Sequence, residues 1–146
     1  MATSRYLFCP SCSKRLSTGE TLFQTLKRIA ENRSQKCKHC EKDLNLHLDF
    51  KFGLGASHNE CIVDAAFYPQ SLEKWSDRGA KIAFYPFLVV LHRIGRSKAI
   101  WLPYWHLVEK PKAKRPLEKY GQWAPCMDLH LYESLHNQAR KANLLR

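Results

Sequence analysis

Two pairs of cysteines, Cys9 with Cys12 and Cys37 with Cys40, are the residues whose type and spacing most directly specify a chemistry. In a C-x-x-C pair, one tight turn aims two sulfurs at a common ion. Two such turns, with 24 residues between them, supply four thiolates and can close a tetrahedron with metal–sulfur bonds of about 2.3 Å. Four-sulfur ligation leaves no open coordination position, so the implied chemistry is structural: one zinc ion stapling the chain. Four thiolates also suit a single iron or an iron–sulfur cluster. A thiol–disulfide redox role would call for one C-x-x-C in a βαβ setting, which this sequence lacks. Cys61 and Cys126 stand outside the pattern. Cys61 lies in an apolar run and reads as a small buried residue. With His58 and His130 close by in sequence, Cys61 and Cys126 would build a second metal site if they met in space.

The two turns match beyond their cysteines. Phe8-Cys9-Pro10-Ser11-Cys12-Ser13-Lys14-Arg15-Leu16 and Lys36-Cys37-Lys38-His39-Cys40-Glu41-Lys42-Asp43-Leu44 each place an apolar residue four positions after the second cysteine. On these residues, the segment 5–52 resembles the zinc-ribbon family, in which each zinc knuckle is the tip of a small hairpin. The resemblance implies a zinc-stabilised ribbon. It implies no single activity, since ribbons occur in polymerase subunits, transposition proteins, nucleases and adaptors. Many ribbons carry Gly directly after the second cysteine, where the turn favours a positive φ. Here Ser13 and Glu41 occupy those positions.

The elements that must position the knuckles follow from periodicity. Ser17 and Glu20 have capping-box spacing. Leu22, Leu26, Ile29 and Ala30 recur at helical spacing, which predicts an inserted amphipathic helix over 19–31. Strict alternation over 44–52 predicts a half-buried strand with Asn45, His47, Asp49 and Lys51 on its other face. Residues 60–68 read as a second strand. Residues 70–78 read as a short helix begun by Pro69 and ended by Gly79. Residues 81–93 read as a long strand that turns at 94–97 and returns over 98–108. Pro86 and Pro103 within it suggest a bent, barrel-like sheet. Residues 109–119 are polar, basic and proline-containing, hence an exposed loop. Asp128 is placed to cap a last helix, whose face of Leu129, Tyr132, Leu135, Ala139 and Ala142 should pack on the sheet. The expected fold class is α+β. A four-cysteine zinc ribbon with a short inserted helix, residues 1–52, packs closely on a small antiparallel, barrel-like lobe with a C-terminal helix, residues 53–146.

Composition narrows the partner. Hydrophobic residues make up 45% of the 146-residue chain and charged residues 25%, an ordinary globular balance. No apolar run approaches the ~18–20 residues of a membrane span, and the first residues lack the apolar core of a signal peptide. The expectation is a cytoplasmic protein without a membrane partner. The net charge is +11, and Lys and Arg outnumber Asp and Glu by 9 to 5, 7 to 4 and 8 to 4 in residues 1–50, 51–100 and 101–146. A surplus spread this evenly favours polyanions, and any basic patch must be assembled by folding. Three elements are expected to line one face: Lys36, Lys38 and Lys42 at the second knuckle; Arg93, Arg96 and Lys98 at the hairpin turn; and Lys110, Lys112, Lys114, Arg115 and Lys119 on the basic loop. Tyr104 and Trp123 lie among these charges and could stack on unpaired bases, whereas Trp101 and Trp105 fit a core.

The expected function is a zinc-stabilised, basic DNA- or RNA-binding protein without catalytic activity. The alternative is a protein–protein adaptor in a larger assembly, docking through the ribbon and the aromatic hairpin. A third reading, a small metal-dependent nuclease, rests on Asp49-Phe50-Lys51 with Asp43 upstream. No Ser-His-Asp, P-loop or H-E-x-x-H pattern is present in the sequence.

Overall fold

The computed structural model describes residues 2–51, 58–121 and 124–143. Trp123, and most of the turn expected at 53–59, lie outside the described residues. The chain runs through β1 (Ala2–Phe8), β2 (Arg15–Leu16), α1 (Leu22–Ala30), β3 (Asn45–Lys51), β4 (His58–Phe67) and β5 (Lys74–Asp77). It continues through β6 (Ala80–Pro86), β7 (Leu88–Arg93), β8 (Lys98–Trp101), β9 (Tyr104–Glu109), β10 (Leu117–Tyr120), β11 (Cys126–Asp128) and α2 (Leu129–Lys141). Two antiparallel sheets result, a seven-stranded one in the order β11-β8-β7-β4-β3-β1-β2 and a four-stranded one in the order β10-β9-β6-β5. The fold is α+β, with a four-cysteine cluster near its N-terminus and a helix at its C-terminal end.

The two long strands expected over 81–93 and 98–108 form one two-stranded ribbon that serves both sheets. Its β7–β8 half belongs to the larger sheet and its β6–β9 half to the smaller. The ribbon breaks at Phe87 on one strand and at Leu102-Pro103 on the other, with Phe87 N–H donating to the Pro103 carbonyl at 2.8 Å. Proline cannot donate to a ladder, so Pro103 suits this corner. The bend turns both inner faces toward one core. Leu46, Leu48 and Phe50 of β3 meet Val89, Leu91 and Trp101 of the larger sheet, and Tyr85 and Trp105 close it from the smaller. Trp101 and Trp105 are thus core residues.

Helix α1 fills the space beside the ribbon. Phe23 packs against Tyr85, Phe87 and Trp105 with ring centroids 5.0–6.0 Å apart. The capping box lies four residues later than the sequence suggests. Thr21 Oγ1 accepts from Gln24 N–H at 3.2 Å, and Gln24 Oε1 accepts from Thr21 N–H at 3.1 Å. The shift follows from Gly19, whose φ of 64° turns the chain left-handed before the helix can begin. Glu20 is then spent on Thr25 and Arg28.

Two expectations are corrected. Residues 70–78 form no helix, because Lys74–Asp77 is the exposed edge strand β5, paired with β6 through a two-residue turn. Arg78 and Gly79 both have positive φ, 47° and 78°, the requirement of a type I′ hairpin, so Gly79 closes a hairpin and not a helix. Helix α2 does not lay its apolar face on the sheet. It has no buried residue, and Leu131 and Leu135 are 50% and 57% exposed. Asp128 precedes α2 without a side-chain cap bond. Its carboxylate is held instead by Arg93.

The register of α1 is testable. Thr21→Ala should lower stability by about 1 kcal/mol, and Ser17→Ala should cost less than about 0.5 kcal/mol, as for an ordinary surface change. Urea unfolding midpoints of the two variants check this.

Candidate metal centre and the cation surface

The knuckles sit at one end of the larger sheet, where β1 ends at Phe8 and β3 begins at Asn45. Their backbones are equivalent. In the first, Ser13 N–H bonds the Cys9 carbonyl at 2.9 Å and Cys9 N–H bonds the Lys14 carbonyl at 3.0 Å. In the second, Glu41 N–H bonds the Cys37 carbonyl at 2.9 Å and Cys37 N–H bonds the Lys42 carbonyl at 2.8 Å. Ser13 and Glu41 adopt φ of 58° and 60°. They therefore take the left-handed conformation for which glycine is usual, at a cost in Cβ crowding.

These turns bring Cys9, Cys12, Cys37 and Cys40 together, with all four sulfurs within 4.8 Å of one another. Cys9 Sγ lies 3.3 Å from Cys40 Sγ, and Cys12 Sγ lies 3.6 Å from Cys37 Sγ. A tetrahedron with metal–sulfur bonds of about 2.3 Å has edges of about 3.8 Å, so small relaxations seat an ion. Each knuckle contributes one buried cysteine, Cys9 or Cys37, and one partly exposed, Cys12 or Cys40. The backbone favours thiolate on the buried pair. The Cys12 N–H pulls the Cys9 thiol down to about 6, and the His39 N–H lowers Cys37 in the same way. The four cysteines can hold one metal ion, and an all-thiolate tetrahedron suits zinc. The arrangement is consistent with a pair of zinc-binding knuckles.

No second metal site forms among the described residues. Cys61 and Cys126 are free thiols, and no group of three or more His, Cys, Asp or Glu ligands assembles apart from the four cysteines. Burial raises both thiols, to about 11 and about 12. The Asp49 motif gains a neighbour, since Glu60 on β4 stands opposite Asp49 on β3. Glu60 is committed elsewhere. It accepts from the Tyr6 hydroxyl and lies 2.5 Å from Nδ1 of the buried His47, and the Tyr6 bond holds its carboxyl below the ordinary range. The His47 ring stacks on Tyr6 at 5.0 Å, and its Nε2 is buried without a partner among the described residues. Nothing in the spacing of Tyr6, His47 and Glu60 signalled this cluster, because strand pairing alone assembles it.

The sequence-derived basic residues separate into committed and free groups. Arg93 is 9% exposed and tied to Ser97 and Asp128. Lys98 pairs with Asp64 at 2.9 Å. Lys38, Lys42, Arg96, Lys110, Lys112, Lys114, Arg115 and Lys119 are exposed, and among the described residues none of them joins an ion pair. The three basic elements stand at different strand ends. Lys38 and Lys42 lie at the knuckle end of the larger sheet. Arg96 lies at the opposite end, where Ile94 N–H reaches the Glu60 carbonyl. The 110–115 loop lies at the far end of the bent ribbon, beyond the Glu109–Lys81 pair. Tyr104 is half-buried on β9.

No family model matches the chain, no curated protein matches it, and no solved structure matches it. Among the described residues, no helix is long and apolar enough to cross a membrane.

Two measurements test the centre. Metal analysis of purified protein should find one zinc per chain. Cys37→Ser should abolish that stoichiometry and lower Tm by on the order of 10 °C. Ser13→Gly or Glu41→Gly should raise stability by about 1 kcal/mol each, by relieving the left-handed backbone. Thermal melts of the metal-loaded variants decide it.

Proposed function

We propose that the chain is a zinc-stabilised, basic nucleic-acid-binding protein whose knuckle pair is a zinc ribbon in its N-terminal third. The observation that carries this reading is the β9–β10 loop. Lys110, Lys112, Lys114 and Arg115 project from it, all exposed and all without an ion-pair partner among the described residues. Four uncommitted cations in six residues make a site for phosphates, and their counterion-driven affinity does not depend on base sequence. Lys119, exposed on β10, extends the same charge. The zinc ion, with the thiolates of Cys9, Cys12, Cys37 and Cys40, supplies structure and leaves no position for substrate.

The adaptor reading has one observation in its favour, the exposed Leu131 and Leu135 on α2. The two readings diverge under charge reversal. Labelled DNA or RNA should bind with an affinity that falls by orders of magnitude between about 50 and 200 mM salt. Changing Lys110, Lys112, Lys114 and Arg115 to Glu should flatten the log–log salt slope by roughly 3 to 4. Fluorescence anisotropy of metal-loaded protein measures both. Binding that ignores salt and the reversal would remove the phosphate-binding role and leave the adaptor.

A further inference from the structure

The outward face of the four-stranded sheet carries rings that the core does not use. Strand alternation puts Trp75, Phe84, Tyr104 and His106 opposite in direction to the core-facing Tyr85 and Trp105. The four rings form a continuous group. Phe84 lies 5.3 Å from His106 and 5.7 Å from Tyr104, and Trp75 lies 5.8 Å from His106. Trp75, on the edge strand, is 42% exposed, and the others are half-buried. The Tyr104 ring occupies the space that a side chain at Gly121 would need, since a Cβ there would fall 2.1 Å from it. The missing Cβ therefore leaves room for this ring.

Both sheets carry charge on their outward faces. On the larger sheet Asp49 and Glu60 share the outward face with Arg15, which lies over Tyr6, and Asp64 at the bulge of β4 is paired with Lys98. On the smaller sheet the outward carboxylates are Asp77, next to the Arg78-Gly79 turn, and Glu73, whose carbonyl accepts from Phe84 N–H at 2.9 Å. Lys119 stands directly across from His106 and has no ion-pair partner among the described residues. The 110–115 loop joins the two strands, β9 and β10, that carry Tyr104, His106 and Lys119.

We propose that this face binds single-stranded nucleic acid, with unpaired bases stacking on Trp75, Phe84, Tyr104 and His106, and with phosphates held by Lys119 and the adjoining 110–115 loop. The inference rests on the nucleic-acid reading above and adds the form of the ligand. Aromatic faces beside lysines suit unpaired bases of any sequence, whereas a duplex hides its base faces within its own stack.

The test compares four anisotropy probes of one length: single-stranded DNA, single-stranded RNA, the DNA duplex, and an abasic strand that keeps the phosphates and lacks the bases. A single strand should bind on the order of 10-fold or more tighter than the abasic strand and the duplex. The two single strands decide between DNA and RNA. Trp75→Ala with His106→Ala should erase that advantage and leave abasic binding unchanged, whereas Trp75→Phe, which keeps a ring, should largely preserve it. Equal binding of all four probes, indifferent to the Trp75 and His106 changes, would overturn the stacking face while the phosphate-binding role stands. Binding of none of them would remove both. Self-association in sedimentation that single strands do not compete with, and that Trp75→Ala abolishes, would reassign the face to a second copy of the chain.

Discussion

The bend in one two-stranded ribbon sets the rest of this structure. Without the break at Phe87 and Leu102-Pro103, strands 80–93 and 98–109 would continue as a single flat hairpin, and Tyr85 and Trp105 would have no opposing surface. With it, the same two strands contribute to both sheets, and the inner faces close on a shared core. The hydrogen bond from Phe87 to the Pro103 carbonyl ties the two break points together. Such corners let a sheet fold onto itself while nearly all backbone groups keep partners.

The cysteine cluster acts on a different part of the chain. It joins the end of β1 to the start of β3, and those strands already pair from Ala2 to Phe8. What the cluster adds is closure of the excursion between the knuckles, which holds β2 and α1. That excursion is short of strand partners, since β2 is two residues long, and an ion pinning both its ends limits the freedom of everything between them. The matched left-handed residues, Ser13 and Glu41, show that the knuckle geometry is imposed even where the side chain resists it.

Much of this was legible in the residues. Cysteine spacing identified the four sulfurs that cluster, because a C-x-x-C turn is a local device and its partner needs only to be similar. Alternation located β3, an apolar run located β4, and the prolines announced the bend. The failures share a cause. Residues 70–78 contain no clear alternation, since an exposed edge strand buries neither face, so Pro69 and Gly79 read as helix punctuation. The apolar residues of α2 have helical spacing, but spacing does not say whether a surface exists to cover them. The basic residues were legible as charges and not as positions. Arg93 and Lys98 neighbour Arg96 in sequence, yet folding pairs the first two with Asp128 and Asp64 and leaves the third in solvent. Phe84 is out of phase with Tyr85, Phe87, Val89 and Leu91, which face the core on both sides of the bend.

The metal centre and the aromatic sheet are coupled through α1. The helix lies within the stretch that the four cysteines close. Phe23 contacts the inner rings Tyr85 and Trp105 of the smaller sheet. The N-cap of the same helix reaches β10, where Thr21 Oγ1 donates to Glu118 Oε1 at 3.1 Å. Glu118 precedes Lys119 on that strand and points to the opposite face. A centre that fixes the ends of the α1 excursion therefore also restrains the strand on which Lys119 stands. An ion held by the four cysteines, with no open coordination position, would act at a distance, by limiting how far α1 and the sheet beneath it can separate.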